Sequence, residues 1–125
     1  MGRAPGRGPL DQARNKLEEL VGAEVRVLGG REAARGGDLL LHAAGTTYAV
    51  KWKAAGDAAN VGSAVRDLAS VRRGRSKYVA VLAVPFMGEI GSRICAEAKL
   101  SWLDLSGNAW IDAPKQRIRI LGHPN

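Results

Sequence analysis

A chain of 125 residues suits one packed domain. With 46% hydrophobic and 25% charged residues, it does not have the composition of a wholly disordered protein. Nineteen Lys and Arg face twelve Asp and Glu, for a net charge of +7 carried mostly by arginine, and this favours a polyanionic partner, DNA or RNA, over a small neutral metabolite.

Cys95 is the only cysteine, so no internal disulfide can form, and a cytoplasmic setting is expected. His42 and His123 together with one cysteine do not make an ordinary zinc site. The longest apolar run, Val79 to Met87, is too short to cross a bilayer, and no secretory signal is read at the start, so no membrane partner is expected. No phosphate-loop or nucleophile-elbow motif occurs, and no small-molecule cofactor is expected.

Residues 1–8 read as a flexible basic tail carrying Arg3 and Arg7, and residues 9–125 as a single domain. Pro9 or Asp11 opens a helix with Leu10, Ala13, Leu17, Leu20 and Val21 at helical spacing, and Gly22 stops it. Glu24–Leu28, Asp38–His42 and Thr46–Lys53 read as three strands with short connections. Asp57 caps a second helix running to about Arg73, with Val61, Ala64, Val65, Leu68 and Ala69 buried. Tyr78–Phe86 is almost wholly apolar and reads as a central strand covered on both faces. A helix over Gly88–Leu100 should turn Ile90, Ile94 and Ala98 inward. Strands over Ser101–Leu105, Ala109–Asp112 and Gln116–Leu121 finish the chain. The expectation is an α/β fold in the order α-β-β-β-α-β-α-β-β-β, a mixed central sheet with helices on both faces.

Asp38 opens one strand, and Lys51 and Lys53 share one face of the next. This layout resembles the PD-(D/E)xK nuclease superfamily, the restriction-endonuclease-like fold, in which an aspartate opens one strand and an acid-x-lysine follows on its neighbour. The resemblance implies two carboxylates holding Mg²⁺ or Mn²⁺ for phosphodiester hydrolysis, with lysine assisting, and often a glutamate from the first helix, here Glu18 or Glu19. The carboxylate of Asp38 and the ammonium of Lys53 are expected to meet across the strands. Lys51 stands where the family has its acid, and a protonated amine has no lone pair for a metal. Asp38 is then a weak metal ligand at best, and a degenerate, non-cutting site follows, with Mg or Mn needed only if a displaced acid restores an active endonuclease.

The segment Ser101-Trp102-Leu103-Asp104-Leu105-Ser106-Gly107-Asn108-Ala109-Trp110-Ile111 resembles a hairpin of bacterial nuclease-like proteins related to the AbiEi-type antitoxins, which implies a core used for nucleic-acid binding or repression. On physical grounds the hairpin reads as structural, with Gly107-Asn108 supplying positive φ and Asp104 bonding backbone.

Phosphate contacts are expected from Lys51 and Lys53, from Arg66 and Arg73 on one helix face, from Arg72, Arg75 and Lys77 nearby, and from Arg3 and Arg7. Trp52 and Trp102 read as core, and Trp110 is the aromatic to watch for exposure. The rival of a different class is a protein-interaction module that pairs as a homodimer along the edge Ala109–Leu121.

Overall fold

The computed structural model describes residues 8–73 and 77–125, excluding the side chain of Arg73. Arg3, Arg7, Arg75 and the Arg73 side chain lie outside this description. The architecture is α/β, with four helices on a seven-stranded mixed sheet whose strands lie in chain order. The elements are α1 (Pro9–Val21), β1 (Arg26–Gly29), β2 (Leu39–Ala43), β3 (Thr46–Trp52), α2 (Ala58–Asp67), α3 (Ala69–Arg73), β4 (Val79–Val84), α4 (Glu89–Ala98), β5 (Ser101–Asp104), β6 (Ala109–Ala113) and β7 (Gln116–Ile120). No described helix is long and apolar enough to cross a membrane.

Short turns make β2–β3, β5–β6 and β6–β7 antiparallel, the longer loop over residues 30–38 does the same for β1–β2, and the helical crossovers make β3–β4 and β4–β5 parallel. Alternation along the central strands feeds two apolar clusters, one on each face of the sheet. Leu41, Tyr48, Val50, Val81, Leu103 and Ile111 meet Ala13 and Leu17 of α1 on one face. Leu40, Ala49, Leu82, Val84 and Trp102 meet Val61, Ala64, Val71 and Cys95 of α2, α3 and α4, with Leu68 between α2 and α3, on the other. β4 is covered on both sides, as its unbroken apolar run implies.

The Tyr48 hydroxyl is buried in the α1 cluster without a hydrogen-bond partner among the described residues. Burial raises its pKa from 10.0, and the Thr46 side chain only partly opposes the rise. Tyr48→Phe removes a desolvated polar atom and keeps the ring. It is expected to leave stability unchanged or to raise it by about 1 kcal/mol in urea unfolding, and a loss of that size would reveal a hidden partner.

Two expectations about the helices need correction. The helix expected over Asp57–Arg73 is two helices, because the backbone leaves helical geometry at Leu68 (φ −95°, ψ 6°), whose side chain stays buried as expected. Arg66 and Arg73 therefore sit on separate helices. Ile90 does not turn inward but is 59% exposed, and Gly91 and Cys95 face the core instead. The reason is close packing. A Cβ on Gly91 would overlap the Gly56 carbonyl, so only a residue without a side chain fits where α4 meets the loop before α2.

Candidate functional site

The Leu39↔Val50 pair of the β2–β3 ladder sets Asp38 beside the end of β3. The Asp38 amide donates to the Val50 carbonyl (2.7 Å), and its carboxylate Oδ2 accepts from the Trp52 amide (2.9 Å). Leu40 and Ala49 belong to the helix-covered cluster, and by the two-residue period Asp38, Lys51 and Lys53 share that face with α2.

There the side chains form one continuous charge chain. Arg31 Nε lies 3.4 Å from Asp38 Oδ1, and Lys51 Nζ lies 3.5 Å from the same oxygen. Lys51 Nζ also lies 3.5 Å from Oδ2 of Asp67, at the end of α2. Lys53 Nζ lies 3.0 Å from that Asp67 oxygen and donates to Ser63 Oγ at 2.9 Å. Both lysine side chains are 19% exposed and that of Asp38 only 9%. The expected meeting of Asp38 with Lys53 is thus replaced by two linked pairs. Lys51 takes Asp38, and Lys53 takes Asp67, because α2 lays its Ser63–Asp67 stripe over the end of β3.

Lys53, first by hydrogen bonding and then by its charge, together with Lys51, holds the Asp67 carboxyl below the ordinary value of 3.8, against the upward pull of burial. A carboxyl with a depressed folded pKa stabilises the fold above its unfolded pKa, and that contribution is lost as pH falls through the folded value. Wild type is expected to lose more stability than Asp67→Asn on acidification from pH 5 to below 3.8. Thermal unfolding across that range checks this, and parallel losses would contradict it.

Gly36 seats the loop that delivers Arg31 and Asp38 against α2. Gly36 has φ +102°, and a Cβ there would overlap the backbone oxygen of Asp67. Ser70 Oγ donates to the Arg35 carbonyl (3.1 Å), and Ala34 of the same loop is fully buried. The loop between β1 and β2 therefore rests directly on the end of α2.

The other candidates lie elsewhere. Glu18 and Glu19 ride on α1, which packs on the opposite face of the sheet. Glu18 Oε2 accepts from the Val25 amide (2.9 Å) and Glu19 pairs with Lys16 (2.9 Å), so neither is brought to the Asp38 cluster. Arg72 is turned inward to the Ala98 carbonyl at the end of α4, where it satisfies a helix terminus instead of facing a phosphate. Arg66 and Lys77 are exposed. Burial raises the thiol of Cys95 to about 12, with Arg72 opposing, so this cysteine packs as an unreactive apolar group.

The Asp104 hairpin is a lock between three segments. The Asp104 carboxylate is wholly buried and accepts from the amides of Met87 (3.0 Å), Ser106 (3.1 Å) and Asn108 (2.9 Å) and from the Asn108 side chain (3.0 Å). Asn108 in turn exchanges hydrogen bonds with the backbone of His123, at 2.8 and 2.9 Å. Only Gly107 of the turn has positive φ (+106°), so Asn108 does not supply the left-handed backbone expected of it and serves through its side chain and its backbone hydrogen bonds with Asp104. Trp102 is buried and Trp52 half-buried, whereas Trp110 is 38% exposed, with the Arg119 guanidinium 4.1 Å from its ring centroid.

The Asp38 cluster does not fit a divalent metal. The two carboxylates that would chelate one are bridged by an ammonium, and no group of three His, Cys, Asp or Glu that could hold a metal occurs among the described residues. Asp67, Ser63 and Arg31 were missed by reasoning from spacing. The one signal for the first two was their four-residue separation on a single helix face. Comparison with protein-family models, with curated proteins and with solved structures finds no match to this chain in any of the three.

Proposed function

We propose that this chain is a nucleic-acid-binding domain on a degenerate nuclease-like core, which holds a phosphate backbone without hydrolysing it. The observation that carries the reading is the Lys51 ammonium, 3.5 Å from both Asp38 Oδ1 and Asp67 Oδ2, where the PD-(D/E)xK pattern would place a metal between carboxylates. Lys51 and Lys53 together balance the charge of the two acids, and the Lys51 ammonium, which is no Lewis acid, takes the place between them from which a metal would activate water. The net charge of +7 supplies the long-range attraction to a polyanion. The restriction-endonuclease-like assignment belongs to the same proposal, supported by α1 on one face, by the antiparallel β1–β2–β3 unit and by the parallel β4 that follows.

The test is fluorescence anisotropy of a labelled duplex across ionic strength, beside a plasmid-nicking assay with Mg²⁺ and Mn²⁺. With three phosphates neutralised, affinity is expected to fall roughly 40-fold between about 50 and about 200 mM salt, without nicking. Binding indifferent to salt, or none at low salt, would overturn the proposal.

One observation favours a second reading. Asp67 is an acid supplied to the cluster from a helix instead of from β3, 3.0 Å from Lys53. An active endonuclease with a displaced acid would nick DNA in wild type and lose that activity in both Asp38→Ala and Asp67→Asn. Activity arising only in Lys51→Glu would favour the degenerate site.

A further inference from the structure

We infer that the phosphodiester backbone is gripped by an arginine rim around this cluster, made by Arg31 and Arg35 of the β1–β2 loop and Arg66 of α2, and not by the two lysines within it. The inference rests on the nucleic-acid reading and names the surface that would carry it.

Lys51 and Lys53 already have carboxylate partners at 3.0–3.5 Å and are mostly covered, so a phosphate could reach them only by displacing Asp38 or Asp67. The cations outside the cluster are differently placed. The Arg31 side chain is 85% exposed and anchored to Asp38 through Nε, so its guanidinium is oriented yet open to solvent. Arg35 and Arg66 are exposed, and neither has a carboxylate within ion-pair distance among the described residues. Arg35 stands next to Gly36, which touches the end of α2, and its carbonyl is held by Ser70. Arg66 directly precedes Asp67. Arg31 thus touches the cluster, and Arg35 and Arg66 flank it in the chain, on two elements that are locked together.

Counting that rim and its interior, Arg31, Arg35, Lys51, Lys53 and Arg66 face Glu32, Asp38 and Asp67, a surplus of positive charge with the acids directed at the lysines. The rim presents planar, multi-donor groups, which match phosphate oxygens better than a point ammonium does. The acids beneath it hold one guanidinium in place and keep both lysines occupied, so the backbone is expected to lie across the site and not to enter it.

The experiment compares wild type with Arg31→Gln/Arg35→Gln/Arg66→Gln, and with the charge-matched control Arg93→Gln/Lys115→Gln/Arg117→Gln on α4, the β6–β7 turn and β7, by anisotropy on duplex DNA and on duplex RNA. Thermal unfolding establishes that each variant is folded, and the single exchanges Arg31→Gln and Arg66→Gln serve if the triple variant is not. The rim variant is expected to reduce the slope of log affinity against log salt by about 2–3 and to bind more weakly on both probes, with the control near wild type. Equal losses in rim and control, or an unchanged rim variant, would overturn the inference while leaving the nucleic-acid reading intact. A wild type that binds neither probe at low salt would overturn both.

Discussion

Replacing Asp104 with alanine is expected to destabilise the protein by about 3–5 kcal/mol, read as a lowered urea midpoint with an unchanged slope. The carboxylate is fully buried, and four donors converge on it from the β4–α4 connection, the β5–β6 turn and the Asn108 side chain. Alanine would strand the Met87 and Asn108 amides in the interior, and each unmade buried hydrogen bond costs about 1–3 kcal/mol. Asparagine is close in shape but must turn an NH₂ toward backbone N–H groups, so Asp104→Asn should also destabilise, by a smaller amount. A loss under about 1 kcal/mol in Asp104→Ala would mean that the hairpin does not hold these segments together. In either variant the tail at His123, tied through Asn108, should become protease-sensitive before the rest of the chain.

Gly36→Ala is expected to cost about 2–4 kcal/mol and, on the proposed function, to weaken nucleic-acid binding with it. Two causes add. The backbone at φ +102° is unfavourable for any side chain, and the new methyl would collide with the Asp67 carbonyl, forcing the β1–β2 loop away from α2. Gly22→Ala separates them, because Gly22 also has positive φ (+73°) but a Cβ there meets nothing within 4 Å. Gly22→Ala should show only the backbone cost, about 1 kcal/mol, and leave binding unchanged. Equal stability losses in the two variants would contradict the close contact, and unchanged affinity in a folded Gly36→Ala would show that the loop does not present the binding groups.

Much of this organisation could be read in the residues. The apolar run at Val79–Val84 marked the strand covered on both faces, and the two-residue period put Lys51 and Lys53 on one side of their strand. Asp57 marked a helix start, and its side chain accepts from the Asn60 amide at 2.9 Å. The helix break at Leu68 was not legible, because no glycine or proline marks it and Val61, Ala64 and Leu68 keep the spacing that an unbroken helix would bury. Ile90 was misplaced for a related reason. The face of α4 that turns inward is chosen by how closely a glycine lets it approach Gly56, not by where its largest apolar residue lies.

For the site, the sequence by itself determined that one aspartate and two lysines would gather at the ends of neighbouring strands, since strand pairing and a period of two leave them little else to do. Only the tertiary structure decided which acid each lysine meets. That choice depends on which helix packs on which face, and α2 brings Ser63 and Asp67 to the lysines while α1 carries Glu18 and Glu19 to the other side of the sheet. Helix packing is set by apolar complementarity summed over many residues, so the partner of any single charge follows from the fold as a whole and is not written in the spacing around that charge.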